Sequence, residues 1–412
     1  MNTLVYIRRC NVFNDSVLSF AKEHLSTSKI TTVSEYFNGD FRIDMNTKQW
    51  DYCFEIQNLI EEKLDFKSIV FRDRVLRNLP LEKALVLVRR ATGNIIDVLK
   101  NTRPDNLVIY PVDNYITDIL VQVAKLHDIS CHGVSNFFIA KYKRLTVYGE
   151  HTPTREPEDS EVESVLQQLQ NNFRSHMAPN RIKAIKKAII RYIKYSARYP
   201  LFYLLLYKFL KRNEYDLLCT PYNSTVHSFT NFFVERFFIA KDKVDYSKKS
   251  ILIPLHYFPE ATIEYWSGNL NQIEFEDMLL CKINELSTRY EQIILKEHPA
   301  ALFDNPSSFY KRLIKNPKVV LIDPFVATTE LLEKIDVIGC WTGTAGIEAL
   351  VNGKKVELFV EEQYYQQALN LHPEIIKKDG DLISISEPSV FIKEILKGCI
   401  LIKKNCDESY TK

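Results

Sequence analysis

Lys296, Glu297, His298 and Pro299 follow one another directly after the apolar run 293–295, so a cation, an anion and an imidazole arrive together at the end of a buried strand. Such a set is costly to bury unless each member finds a partner. Lys296 or His298 can neutralise a phosphate or protonate a leaving oxygen, and Pro299 stops the strand and aims the imidazole. Three more polar motifs also follow apolar runs: His256-Tyr257-Phe258-Pro259-Glu260 after 251–255, Asp323-Pro324 after 319–322, and Trp341-Thr342-Gly343-Thr344-Ala345-Gly346 after 337–340. Glu260 suits hydrogen bonding to a sugar or ribose, although a loop anchored by its own aromatics would read the same way. In 342–346 the glycines let the backbone approach an anion, Thr342 and Thr344 offer hydroxyls, and a helix amino terminus presents free N–H groups. A plain strand-to-helix turn with a threonine cap is the alternative. The segment has neither the Gly-Lys-Ser/Thr of a P-loop nor the G-x-G-x-x-G spacing.

In an open parallel α/β sheet the carboxyl ends of all strands face one crevice, so four such motifs predict one shared binding site. The rest of the chain supplies the elements that position it. At 412 residues it is too long for one ordinary core. Strands at 3–7, 68–71 and 107–110, with helices at 16–24, 51–63, 81–92 and 116–127, predict a first Rossmann-type domain over 1–165. A helical, basic connecting segment follows over 166–246. The second Rossmann-type domain, 247–385, has strands at 251–255, 292–296, 319–322, 337–340 and 355–359 and helices near 272–290, 307–315, 328–334 and 346–352. A C-terminal helix and tail, 386–412, returns toward the first domain.

The acceptor side of a crevice needs an acid or a nucleophile. Asp113, after the strand 107–110, and Glu150, in a charged loop, are the candidates, with helix capping the plainer role for Asp113. Asp379-Gly380-Asp381 imitates a metal-binding D-x-D but reads as a hairpin turn, and no metal is expected. Eight cysteines without a C-x-x-C pair disfavour a zinc site or disulfide scaffold and suit a reducing cytoplasm. The first twenty residues carry no secretory-signal pattern, and the net charge of +2 gives no reason to invoke nucleic acid. Between Arg174 and Asn213 there is no acidic residue, while basic residues alternate with isoleucines. That pattern suits an anionic membrane surface, giving a peripheral contact at the inner membrane through 174–212, or a surface helix packed on its own domain.

Taken together, Ile253-Pro254-Leu255-His256-Tyr257 with Pro259-Glu260, Lys296-Glu297-His298-Pro299, and Thr342 through Leu350 resemble the capsule and surface-polysaccharide biosynthesis glycosyltransferases. Among these the sequence is most similar to bacterial enzymes that use CMP-activated 2-keto sugars, the retaining β-Kdo transferases and pseudaminic acid transferases. The likeness covers about residues 250–362, and its His-Pro pair also resembles that of bacterial sialyltransferases. It implies a GT-B-like fold with a crevice between two Rossmann-type domains, the nucleotide-sugar donor on the second and a glycan or lipid-linked glycan acceptor on the first. Lys296, Glu297, His298 and Pro299 would then meet the cytidine nucleotide. Thr342, Gly343, Thr344 and Gly346 would cradle its phosphate, and Glu348 would bind the ribose or brace the loop. The CMP-sugar is a substrate, and no cofactor is implied. Retention and inversion both stay open, as do a UDP- or GDP-sugar transferase or epimerase of the same fold and a non-catalytic scaffold in capsule assembly.

Overall fold

The computed structural model describes residues 1–8, 11–36, 38–51, 63–171, 173, 179–193, 201, 204–209, 229–256, 261–266, 275–360 and 364–401. Its strands are β1 Asn2–Tyr6, β2 Lys29–Ser34, β3 Phe41–Arg42, β4 Asn106–Ile109, β5 Ser130–Asn136, β6 Tyr142–Leu145, β7 Ser250–Pro254, β8 Gln292–Lys296, β9 Val319–Ile322, β10 Val337–Cys340, β11 Lys355–Leu358, β12 Ile376–Asp379, β13 Leu382–Ile385 and β14 Cys399–Leu401. They form two sheets, in the orders β14-β6-β5-β4-β1-β2-β3 and β12-β13-β11-β10-β7-β8-β9. Helices accompany both, giving the α/β, GT-B-like class expected from the sequence.

Within each sheet five strands run parallel, β3-β2-β1-β4-β5 and β9-β8-β7-β10-β11. Two antiparallel strands extend each on one side. Central strands such as β4 and β8 are buried along their whole length, which is why they read as unbroken apolar runs. In both sheets the chain reverses its direction of progress between the first and fourth strands. The two topological switch points are therefore β1/β4 and β7/β10, and loops leaving them open a crevice at the carboxyl edge.

Three sequence expectations for the first sheet are corrected. The apolar run at 68–71 is part of the helix Phe66–Arg72, started by Asp65, whose side chain accepts from Ser68 N at 3.0 Å. Short apolar runs fit a strand or a helix equally, and here the cap decides. The helix begun at Leu81 continues to Thr102 rather than stopping before Gly93. A Cβ at Gly93 would lie 2.2 Å from the Trp50 ring, so glycine there serves packing and is not a break. β2 and β5 were not foreseen and β6 fell in a charged stretch that reads as loop or strand, since none of the three carries a marked apolar run. The expected helix 51–63 falls almost wholly outside the described residues.

The helix Pro388–Lys397 carries the chain back, and β14 pairs antiparallel with β6. A second link is formed by residues 261–266. Trp266 Nε1 donates to Val112 O at 2.7 Å, Tyr265 OH donates to Asp73 Oδ2 at 2.7 Å, and Glu264 pairs with Arg74 and Arg77, each at 2.8 Å. The chain leaving β7 thus docks on the loop leaving β4, so the two switch-point loops are fastened to one another.

Candidate functional site

At the second switch point, His256 follows β7 and Thr342 follows β10. Thr342 N donates to His256 Nε2 at 3.2 Å, which leaves the ring proton on Nδ1. The imidazole is buried, edge-on to Trp341 and Phe275 with ring centroids 6.3 and 6.1 Å away. Burial, and then the neighbouring His298, push its pKa down to about 3, so it is a neutral acceptor near pH 7. Thr342 Oγ1 is buried without a hydrogen-bond partner among the described residues. Leaving such a hydroxyl unsatisfied costs ~1–3 kcal/mol.

His298, beyond β8, caps the short 3-10 turn Pro299–Ala301, its Nδ1 accepting from Ala300 N at 3.2 Å. The proton therefore sits on Nε2. The residue is solvent-exposed yet ringed by protein, as a side chain in a crevice is. Those dense surroundings, then Lys296 and Lys187, lower its pKa to about 4. The ligand-free imidazole is therefore neutral near pH 7. Lys296 is buried and donates to Pro324 O at 3.0 Å, which brings the loop after β9 into the group. Its charge also reaches Glu348, a buried carboxyl that burial raises to about 8 and Lys296 opposes. His256, Lys296, His298, Thr342 and Glu348 are thereby brought together, with Gly343 and Thr344 on the same loop as Thr342.

Other expected site residues have structural work. Glu297 is 0 % exposed and accepts from His298 N at 2.7 Å, Asn305 Nδ2 at 2.9 Å and Tyr310 OH at 2.7 Å. It sets the position of His298 from behind rather than facing a ligand. Gly346 is a packing glycine, since a Cβ there would stand 2.6 Å from Tyr365 OH and 2.8 Å from Cys340 Sγ. Gly343 differs: its nearest neighbour would be the His256 ring at 3.6 Å. Gly346→Ala is therefore expected to cost about 1–3 kcal/mol by overpacking, read as a lowered urea midpoint, whereas Gly343→Ala leaves that midpoint within experimental error. Pro299 opens the 3-10 turn at a position where its missing N–H costs nothing. Glu260 lies outside the described residues.

The other switch point holds a pair that the sequence reading half missed. Arg8, just beyond β1, grips Asp113, beyond β4, through Nη2 to Oδ1 at 2.5 Å and Nη1 to Oδ2 at 2.7 Å. The guanidinium also lies 4.8 Å from the centroid of Tyr110. Capping of the helix Tyr115–Leu126 falls to Asn114, so Asp113 is not its cap. Glu150, the other acceptor-side candidate, closes its own turn, its oxygens accepting from Val147 N and Tyr148 N, both at 2.6 Å. Asp379-Gly380-Asp381 forms the β12–β13 hairpin, with Gly380 at φ 60°.

Glu348 and His256 make stability depend on pH in opposite senses. Glu348 titrates higher folded than unfolded, so its contribution is complete below about 4.5 and is lost as pH rises through about 8. His256 titrates lower folded than unfolded, so stability falls as pH drops from about 6.5 toward 3. Glu348→Gln is expected to leave the urea midpoint alone at pH 4.5 and to stabilise the ligand-free protein at pH 8.5 by on the order of 1–3 kcal/mol. Equal effects at the two pH values would show that Glu348 is not a buried neutral acid.

Residues 167–370 match the family model described as capsule polysaccharide biosynthesis protein. No curated protein matches the sequence. Among solved structures, the β-Kdo 2,7 transferase KpsC of Thermosulfurimonas dismutans is 10% identical with a TM-score of 0.42, covering 99% of this chain and 97% of that one. The β-Kdo 2,4 transferase of the same organism's KpsC is 10% identical with a TM-score of 0.34, over 70% of this chain and 78% of its own. UDP-GlcNAc 2-epimerase from Neisseria meningitidis, bound to UDP-GlcNAc, is 15% identical with a TM-score of 0.31, over 96% and 91%. The matched residues, 167–370, carry the His256, His298 and Thr342 loops, so this part of the chain is similar to the capsule polysaccharide biosynthesis proteins.

Proposed function

We propose that this protein is a glycosyltransferase of surface-polysaccharide assembly that transfers a CMP-activated 2-keto sugar, such as Kdo, pseudaminic acid or another nonulosonic acid, to a glycan acceptor with retention. The observation that carries the reading is the meeting of the loops after β7, β8 and β10 at one switch point, with His256, His298, Lys296 and Thr342 in electrostatic or hydrogen-bond contact. The capsule family match over the same loops supports it.

In this reading the donor phosphate lies against the 342–344 backbone, Thr342 Oγ1 and the Nε2–H of His298, with Lys296 as the nearby fixed cation. As the 2-keto sugar leaves, its anomeric carbon becomes oxocarbenium-like and negative charge grows on the phosphate, where preorganised donors lower the barrier. The phosphate also offsets Lys296, so His298 takes up a proton more readily in the complex and can hand it to the departing oxygen. Asp113, fixed by Arg8 on the opposite wall, attacks the anomeric carbon, and the acceptor hydroxyl later displaces it. Glu348, held neutral, hydrogen-bonds the ribose. Gly343→Ala then places a methyl where the phosphate sits, weakening donor binding without weakening the fold.

The test is incubation of the purified protein with a panel of CMP-sugars, followed by mass spectrometry. Release of CMP with a sugar adduct on Asp113 is the expected result. Turnover of UDP- or GDP-sugars alone would overturn the donor assignment, and an adduct on another residue would move the nucleophile.

A further inference from the structure

The helix Arg181–Ile193 has two unlike faces. Its inner face is made of small or anchoring residues. Ala184 and Ala188 are buried, Tyr192 packs edge-on against Phe232 with centroids 5.6 Å apart, and Arg191 pairs with Asp304 and donates to Ala300 O at 3.1 Å. At the amino-terminal end Arg181 pairs with Asp323 at 2.6 Å and Glu235 at 2.5 Å. The helix is thus tied to the loops after β8 and β9, and it lies directly over the turn that His298 caps.

The outer face is the reverse of what a soluble surface asks for. Ile182, Ile189, Ile190 and Ile193 are 66%, 44%, 53% and 58% exposed, and at helical spacing they fall on one face, with Lys186 among them and Lys183 at the edge. Isoleucine has no reason to occupy such a stripe when alanine fills the inward positions. Leu201, Leu204, Leu205 and Phe209, next in the chain, are exposed as well. The sequence from Arg174 to Asn213 holds eleven Lys and Arg and no Asp or Glu, and the anions that do meet the helix, Asp304, Asp323 and Glu235, are engaged by Arg191 and Arg181 rather than by the lysines of the outer face. A protein partner or a second copy would set charged pairs against these cations. A second copy brings the same cations and repels them, whereas anionic headgroups complement them and accept the isoleucines beneath.

We propose that the outer face of Arg181–Ile193 docks on an anionic lipid bilayer, seating the His298 loop at the membrane surface. The proposal rests on this helix alone and stands whether or not the donor is a CMP-sugar.

The test is co-sedimentation of the full chain with phosphatidylcholine vesicles, with and without phosphatidylglycerol. Wild-type protein is expected to sediment with the anionic vesicles at least ~10-fold better than with neutral ones, and less at high salt. Ile189→Glu/Ile193→Glu and Lys183→Glu/Lys186→Glu should each lose most of that binding while keeping the wild-type melting temperature by circular dichroism. Failure of the folded wild-type protein to bind anionic vesicles, or retention of binding by both folded variants, overturns the proposal. So does a wild-type dimer in light scattering that Ile189→Glu/Ile193→Glu dissociates, because the stripe is then an interface between copies. Nucleotide binding, measured in parallel, reports separately on the donor site.

Discussion

His298→Asn should lower sugar transfer by about 10²–10⁴-fold, the range for loss of a positioned acid or base, while shifting the urea midpoint by no more than ~0.5 kcal/mol. Asparagine is chosen because its side-chain oxygen can still accept from Ala300 N and cap the turn Pro299–Ala301. Any loss then belongs to the Nε2–H and the proton it carries. The ligand-free pKa of about 4 adds a thermodynamic signature. If a phosphate draws a proton onto His298, donor binding to wild-type protein takes up protons near pH 6, and calorimetry in buffers of different ionisation enthalpy reads the number directly. The variant should take up none. Full activity in His298→Asn, or proton uptake unchanged by it, would remove His298 from the chemistry.

Asp113→Asn should be more severe, lowering transfer by about 10⁴-fold or more, as removal of a covalent nucleophile does. It should also cost about 1–3 kcal/mol of stability, because Arg8 loses the anion that both its terminal nitrogens engage. The stability loss by itself proves little, since any paired arginine would show it. The double variant Arg8→Gln/Asp113→Asn separates the two roles by pairing amide with amide. Its urea midpoint should recover toward wild type and its activity should not. Recovery of both would make the pair a brace across the first switch point and nothing more.

The five parallel strands of the second sheet were legible in the sequence because they are mostly buried apolar runs that end in polar breaks. β8 runs Gln292–Lys296 as expected, and Lys296-Glu297-His298-Pro299 marks its end without ambiguity. The first sheet was harder. β5 contains Ser130, His132, Gly133 and Asn136, and no period distinguishes it from a loop. Site residues followed the same division. The loops after β7, β8 and β10 announced themselves by composition, but the direction each side chain takes did not. Glu297 and His298 are adjacent, and one is fully buried while the other faces the crevice. Gly343 and Gly346 read alike, and only the nearby Tyr365 and Cys340 make the second a packing residue. Arg8 was invisible as a site residue because its partner is 105 positions away. A search for cations just beyond the first strand, the other half of a switch point, would have found it.

The proposed function requires the loops after β7, β8 and β10 to form one pocket for the charged end of a cytidine nucleotide. Isothermal titration of CMP into the full-length protein tests it most directly, beside UDP and the variants His298→Asn and Thr342→Val. One CMP site per chain is expected, with UDP at least ~10-fold weaker and a loss of ~10-fold or more in each variant. Absence of CMP binding to the folded protein, or an affinity that neither substitution changes, would contradict it.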